Sequence, residues 1–435
     1  MDIRSLAGKN ICILGYGREG QAMALALKKY ASGCEITIAD KDETVRSENP
    51  KHWLQVGTGW LKNLEKFDVV VKSPGIPPHE LSTCNFQHVT SATEIFLDSI
   101  KNSGATVVGV TGSKGKSTTA SLIHHILQSA GKKSFLVGNI GEPAISHIAD
   151  ASSNTIFVQE MSSYQLMDLT SSPQIAVVTS FFPEHLDYHT SLENYLEAKK
   201  HITRFQTKND VVFFNEDSDG AQKIAEESKG TKIPFSRNDA QVTLEDIQLK
   251  GAHNLGNIAA AFKVALHLGI DRAAAIAAIK SFKGLPHRLE SLGIHNDIEW
   301  VNDSISTTPQ SAIAALDALG DQVSTIILGG QDRGYDFAPL IERLKTSSVK
   351  TVILMPDSGG TIRKKLEEAK VKLVLIDAET MEEVVAIAKK NTEKILTLNP
   401  HPQSPIVLLS PAAPSYGHFK NFEDRGEQFQ KYVNQ

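Results

Sequence analysis

The sequence predicts an α/β fold in three domains, each a sheet of parallel strands covered by helices. Short Ile/Val/Leu runs alternate with helical patterns along the chain, which is the signature of parallel sheets. Two glycine-rich turns each follow an apolar run and open a helix, as strand-loop-helix phosphate sites do. A length of 435 residues is too great for one ordinary core and calls for two or three domains.

Composition bounds the function classes. With 41% hydrophobic and 22% charged residues the chain reads as a soluble globular protein. The net charge is −5 with basic residues dispersed, which excludes a nucleic-acid stripe. No basic leader or membrane-length apolar run is present, so a cytoplasmic protein without membrane insertion is expected. Cys12, Cys34 and Cys84 lack metal spacing and read as buried thiols rather than a disulfide framework or zinc site.

In the first domain, 1–91, strands are expected at Asn10-Ile-Cys-Ile-Leu, Glu35-Ile-Thr-Ile-Ala and Asp68-Val-Val-Val, giving a Rossmann-like sheet. The central domain, 92–284, carries an apolar run from Ala105 to Val110 that turns through Gly112 and Gly115 into an amphipathic helix. That helix reads Leu122, Ile123, Ile126, Leu127 and Ala130 on one face and stops at Gly131. Strands follow at Thr155-Ile-Phe-Val and Ile175-Ala-Val-Val-Thr, then a helix from Asn254 to Leu268, and a turn at Phe282-Lys-Gly-Leu-Pro286 closes the domain. The third domain, 285–435, is again Rossmann-like, with strands at Thr325-Ile-Ile-Leu, Thr351-Val-Ile-Leu, Leu373-Val-Leu-Ile and Ile406-Val-Leu-Leu.

The turn Thr111-Gly-Ser-Lys-Gly-Lys-Ser-Thr118 is a triphosphate cradle of the form TGxxGKS; a strict Walker motif would place its first glycine at Val110. Backbone N–H groups at Gly112 and Gly115 can curl round phosphate oxygens, Lys116 can reach the outer phosphates, and the Ser117 hydroxyl can ligate Mg²⁺. Gly15-Tyr-Gly-Arg-Glu-Gly20, with Asp40 ending the next strand, fits a dinucleotide fingerprint, though the same turn serves other diphosphates. Ser73-Pro-Gly-Ile-Pro77 is either a plain turn or a second loop facing the same ligand.

Glu160 ends a strand beside the phosphate loop, where a carboxylate can hold Mg²⁺ or simply favour a helix start. The next strand delivers His185 and Asp187 to the same edge. Thr190-Ser-Leu-Glu193 reads as a capping box, opening a helix on which Tyr195, Lys199 and Ile202 form a core-facing stripe. A lysine there either snorkels to water or, held near Mg²⁺, loses its proton and takes up CO₂ as a carbamate. Asn254 and Asn257 share a helix face that could meet a purine or ribose, Arg288 follows the domain turn, and Asn302-Asp-Ser-Ile-Ser-Thr-Thr-Pro309 reads as a polar loop and helix start.

These motifs, with Gly138-Asn-Ile-Gly141, His185-Leu-Asp187, Tyr195-Leu-Glu-Ala-Lys199, His253-Asn-Leu-Gly-Asn257, Pro286-His-Arg288, Leu409-Ser-Pro-Ala-Ala-Pro-Ser415 and Phe419-Lys-Asn-Phe-Glu-Asp-Arg-Gly426, resemble the Mur ligase family of peptidoglycan synthesis over essentially the whole chain, and its glutamate-adding branch in particular. Folylpolyglutamate synthetase shares the ATP loop but lacks this ending and this amino-terminal domain. The resemblance implies ATP-driven amide formation on UDP-N-acetylmuramoyl-L-alanine through an acyl phosphate, with ATP, glutamate and two Mg²⁺ ions, and with Lys116, His185 and carbamylated Lys199 as catalytic residues. By the same resemblance, ATP would be held by Thr111, Gly112, Ser113, Lys114, Gly115, Lys116, Ser117, Thr118, Asn257, Arg288 and Asp303. Metal would be held by Ser117, Glu160, His185 and Lys199. Arg18, Glu19, Asp40, Lys41, Gly75 and Asn139 would hold the UDP substrate; Thr307, Arg333, Ser415 and Phe422 would hold glutamate.

Two departures bear on the amino acid. Where the usual D-glutamate enzyme has Asp-Ser-Lys-Ala-Thr, this chain has Asp303-Ser-Ile-Ser-Thr307, and where that enzyme has lysine after Gly-Gly, this chain has Arg333 in Gly329-Gly-Gln-Asp-Arg-Gly334. The variant loops are also similar to those of ligases that add L-glutamate, so D-glutamate is the first expectation and L-glutamate the alternative. An NAD-dependent oxidoreductase built on the first domain and an ATP-binding switch without catalysis are the rivals from other classes.

Overall fold

A computed structural model describes residues 1–398 and 404–435, which form three sheets in two compact units. One unit holds Met1–Thr243 and His253–Ser281; the other holds Leu244–Ala252 and Phe282–Gln435.

The first unit begins with a sheet of β1 (Asn10–Leu14), β2 (Glu35–Asp40), β3 (Trp53–Val56), β4 (Val69–Lys72) and β5 (Val89–Thr90), parallel throughout in the order β3-β2-β1-β4-β5. Helices α1 (Arg18–Tyr30) and α2 (Ala92–Ile100) belong to the same stretch. The strands β1 and β4 are apolar on both faces, as buried parallel strands are, and both were legible as runs. Edge strand β3 carries Trp53 at 72% exposure, so it lacks the buried run that would have announced it. Because β2 and β4 lie on opposite sides of β1, the loops after all three open on one edge.

The second sheet contains β6 (Thr106–Thr111), β7 (Lys133–Gly138), β8 (Thr155–Glu160), β9 (Ile175–Val178), β10 (Val211–Asn215) and β11 (Thr231–Phe235), all parallel in the order β11-β10-β9-β6-β8-β7. Its helices are α3 (Lys116–Ser129), α4 (Ser163–Leu166), α5 (Leu186–His189), α6 (Leu192–Arg204), α7 (Asp219–Glu226), α8 (Asn254–His267) and α9 (Arg272–Ser281). Leu122, Ile123, Ile126 and Leu127 are fully buried, as the period of α3 predicts. The capping box expected at Thr190 does not form, and a simple N-cap stands one residue later. Ser191 caps α6 by accepting from the Asn194 N–H, whereas Thr190 has φ 64° and ends α5, a conformation unlike the extended backbone of an N-cap.

The second unit holds β12 (Glu290–His295), β13 (Ile298–Asn302), β14 (Val323–Gly329), β15 (Thr351–Met355), β16 (Val374–Asp377) and β17 (Ile406–Leu409) in the order β12-β13-β17-β14-β15-β16. Its helices are α10 (Pro309–Leu319), α11 (Ala338–Lys345), α12 (Ser358–Glu368), α13 (Met381–Leu398) and α14 (Phe422–Val433). The sheet is parallel except for the β12-β13 hairpin, which turns through Asn296 and Asp297 at φ 53° and 61°. Of the Asn302–Pro309 segment expected as a polar loop and helix start, Asn302 ends the buried strand β13, and Pro309 opens α10 with Thr308 as its N-cap. Cys12 is buried and Cys34 and Cys84 are half-buried, all three as free thiols. Among the described residues no helix is long and apolar enough to cross a membrane.

Candidate active site

The order of the second sheet places β8 and β9 on either side of β6, so the phosphate loop, Glu160 and the segment after Val178 share one edge. Gly112 and Gly115 have φ 151° and 84°; a Cβ would lie 2.1 Å from Thr179 Oγ1 at the first and 2.3 Å from Asn257 Oδ1 at the second. Only glycine fits either position. Asn257 thus lies directly against the loop, and it is itself oriented by a 2.9 Å hydrogen bond from its Nδ2 to Asn254 Oδ1. Helix α3 starts at Lys116, which leaves its first N–H groups at the loop. The loop is pinned to its neighbours: Thr111 Oγ1 donates to Met161 O, Ser113 Oγ meets Phe182, and Lys114 pairs with Glu184 at 2.5 Å.

Two lysines converge here. Lys116 Nζ donates to the Gly112 and Ser113 carbonyls at 2.9 Å each, and Lys199 Nζ donates to the same Gly112 carbonyl at 2.9 Å. Lys199 is 1% exposed and makes no ion pair among the described residues. Burial, and then the Lys116 charge, hold its amine well below the usual lysine range. Such an amine is uncharged far more often than a solvated lysine. Burial likewise lowers His185, opposed by Glu184 and reinforced by Lys116 and Lys199, which keeps its imidazole neutral.

Glu160 is 1% exposed, with Oε1 accepting from Asn139 Nδ2 at 2.8 Å and Oε2 buried without any hydrogen-bond partner. A carboxylate oxygen left so is costly unless something outside the protein satisfies it. Among the described residues no three His, Cys, Asp or Glu side chains gather as a metal cage. Mg²⁺ does not need one, because it keeps waters and takes one or two carboxylates plus phosphate oxygens. The residues therefore fit a cation that arrives with a nucleotide.

At the edge of the first sheet, Gly20 packs so closely on Gly15 O that a Cβ would lie 2.1 Å from it, which explains the last glycine of the fingerprint. Arg18 Nη2 donates to Gly138 O and Asn139 O at 2.8 and 3.2 Å, bringing two expected substrate residues together. Asp40 accepts from the Tyr16 and Asp42 amides, and half-buried Glu19 accepts from Gln165 Nε2 at 2.6 Å, its carboxyl pushed up by desolvation. Both carboxylates shape the turn from within. Lys41 is exposed beside Glu80, and a side chain at Gly75 would meet no atom within 4 Å, so this loop faces open space.

The second unit gathers its own residues at the ends of β13, β14 and β17. Arg425 is fully buried and bridges them: Nε and Nη2 bind Ser304 Oγ and O, and Nη1 binds Ala413 O. Ser304 Oγ in turn donates to Phe422 O at 2.8 Å. Thr307, Ser415 and Phe422 lie on the segments so clamped. Arg333 is exposed, holds Gln331 Oε1 from its Nε at 3.0 Å and stands 5.9 Å from the Tyr416 ring centre, a cation-π pair. Arg425 and Tyr416 went unread in the sequence; the only signal was their place in the Ser410–Gly426 motif.

Asp303 is 3% exposed and accepts from Ser306 Oγ, Ser410 Oγ and the Leu289 N–H; Arg288 lies two residues before that strand. Burial nevertheless pushes its carboxyl up to about 6. The folded state then binds a proton more tightly than the unfolded chain. Stability contributed by this group is present near pH 4 and is lost as pH rises through about 6, an effect of order 3 kcal/mol. Urea unfolding of the full chain between pH 4 and 6.5 should therefore show a steeper loss in the native protein than in Asp303→Asn; equal slopes would remove this assignment.

A glycine-rich loop at a helix start, a buried carboxylate with an open oxygen and a buried lysine whose amine is held below the usual range fit an ATP-using α/β enzyme. Residues 110–253 match the family described as Mur ligase middle domain, and residues 287–411 match the Mur ligase glutamate ligase domain. The UDP-N-acetylmuramoylalanine-D-glutamate ligase of Clostridium acetobutylicum is 33% identical over 99% of this chain and 98% of its own. The UDP-N-acetylmuramoyl-L-alanine-L-glutamate ligase of a Micromonospora species is 34% identical over 100% and 98%. In fold, the UDP-N-acetylmuramate-alanine ligase of Thermotoga maritima is similar, with a TM-score of 0.60 over 98% of this chain and 99% of that one at 16% identity. The chain belongs to the Mur ligase family.

Proposed function

We propose that this protein joins D-glutamate to UDP-N-acetylmuramoyl-L-alanine, driven by ATP, in peptidoglycan precursor synthesis in the cytoplasm. The observation that carries this reading is the meeting of Lys116 and Lys199 on the Gly112 carbonyl, beside Glu160 with its unsatisfied oxygen. A hydride-transfer enzyme would leave all three without a task, and a passive switch would not need a buried uncharged lysine.

The chemistry follows from charge. Thr111 to Thr118 wrap the phosphates, with Asn257 beside the loop and Arg288 and Asp303 assigned to the nucleotide. The substrate carboxylate attacks the γ-phosphorus, the bond to ADP breaks, and an acyl phosphate forms; Lys116 offsets the charge that gathers on the transferring oxygens. The glutamate amine then attacks the carbonyl, loses a proton, and phosphate leaves with one oxygen of the former carboxylate. Mg²⁺, held by Ser117, Glu160, His185 and a carbamylated Lys199, would neutralise phosphate charge during both transfers. The carbamate would form when the Lys199 amine, in its neutral form, adds to CO₂ and releases a proton, leaving an anionic oxygen ligand where a lysine stood. Arg18, Asp40, Lys41, Gly75 and Asn139 would receive the UDP end, the Glu19 turn contributing its backbone.

For glutamate, Arg333 supplies the cation that Ile305 cannot, with bidentate geometry available to a carboxylate. Arg333→Ala should raise the glutamate KM by about tenfold to a hundredfold with the ATP KM nearly unchanged. A rise in the ATP KM alone would displace Arg333 from the glutamate site. The whole reading is tested by incubating the protein with ATP, Mg²⁺, UDP-N-acetylmuramoyl-L-alanine and either glutamate enantiomer, then determining product mass and chirality. A D-glutamyl product is expected. Product from L-glutamate alone would make Ile305 and Arg333 the leading cause of reversed handedness, and no product from either would refute the reading.

A further inference from the structure

Tyr188 belongs to α5, three residues after His185, and its backbone N–H returns to His185 O at 3.1 Å. Its side chain does not serve the metal edge. It is 7% exposed and its hydroxyl lies 2.7 Å from Pro74 O and 2.9 Å from Ile76 O, the two carbonyls that flank Gly75. One hydroxyl proton is thus shared between two acceptors on a loop of the first sheet. The ring packs on Tyr164 with centres 4.0 Å apart, and Tyr164 in turn meets the His185 ring at 5.1 Å. At the root of the same loop, Lys72 is 5% exposed and pairs with Asp168 at 2.6 Å. Ser73 Oγ donates to Gly15 O at 2.8 Å, so the loop also holds the glycine turn after β1.

We propose that Tyr188 is a positioning residue that sets the Ser73–Pro77 loop in register with the His185 segment, so that a nucleotide-sugar bound on the loop presents its carboxylate to the phosphate loop. This rests on the function proposed above. The substrate must lie on one sheet edge at its diphosphate and on another at its reacting end, and a floating loop would spread those positions. Two carbonyls held by one buried hydroxyl, with an ion pair at the loop's root, remove that freedom before substrate arrives.

Tyr188→Phe retains the ring stack and removes only the donor. In the full chain, the Kd of UDP-N-acetylmuramoyl-L-alanine should rise about tenfold while the Kd of ADP stays within a factor of two. Asp168→Asn, which releases Lys72, should move the same constant in the same direction. Amide hydrogen exchange without ligand should become faster at Ser73, Gly75 and Ile76 in Tyr188→Phe. Unchanged exchange there, or parallel weakening of ADP and the UDP substrate, would overturn the proposal, the second because it would mark a general structural role. Failure of the native protein to bind the UDP substrate would count against the proposed function instead, and the exchange comparison would still decide the coupling.

Discussion

Lys199→Ala loses turnover by about a hundredfold to a thousandfold and regains part of it when a short carboxylic acid such as acetate is supplied. The size follows from what is removed. In the native protein the Lys199 amine is buried, makes no ion pair among the described residues, donates to the Gly112 carbonyl and Thr111 Oγ1, and lies 4.9 Å from the Tyr195 ring centre. Burial and the Lys116 charge disfavour a cation in that position, so its value lies in the carbamate, which would supply a negative charge near the phosphate loop. Alanine leaves a cavity in which a small acid can take the same place. Steady-state rates with and without acetate, alongside the melting temperature, check this. Full activity of the unsupplemented variant would remove the carbamate; a loss that no acid restores, with lowered melting temperature, would assign Lys199 to packing.

Glu160→Gln separates charge from shape. The amide can still accept from Asn139 Nδ2, so the 2.8 Å contact that orients the side chain survives. The buried atom that lacks a partner, Oε2, becomes an NH₂ group that repels a cation. The concentration of Mg²⁺ for half-maximal activity should rise at least about tenfold and kcat should fall about a hundredfold. Mn²⁺ binding in the presence of ATP, followed by electron paramagnetic resonance, gives the same comparison without turnover. An unaltered metal dependence would place the cation elsewhere.

Much of this site was legible before the fold was known, for a reason that also explains what was not. Gly112 and Gly115 take positive φ in their turn and Gly20 packs on Gly15 O, local demands that mark these loops in the sequence. The Thr179 and Asn257 atoms that also exclude a side chain at Gly112 and Gly115 come from distant segments. Lys199 announced itself as a charge on the apolar stripe of Tyr195 and Ile202, and all three are buried. Strands β1, β4, β6, β9, β14 and β17 are largely buried and each carries a short apolar run that the sequence shows. By contrast β3, β12 and β16 are exposed or half-exposed at sheet edges, and only β16 offered a run of apolar residues long enough to notice. Tyr188 and Arg425 acquire their roles through partners 114 and 121 residues away, a separation that no local pattern encodes. Arg425 resembles any arginine of a polar helix until the fold buries it against the carbonyls of Ser304 and Ala413.

The most direct test of phosphoryl transfer to the substrate carboxylate uses UDP-N-acetylmuramoyl-L-alanine labelled with ¹⁸O in that carboxylate. During turnover with ATP and D-glutamate, released phosphate should carry one ¹⁸O per molecule, because the oxygen that attacked phosphorus departs with it. Phosphate free of label, with amide product still forming, would contradict an acyl phosphate and with it the roles assigned to Lys116, Glu160 and Lys199.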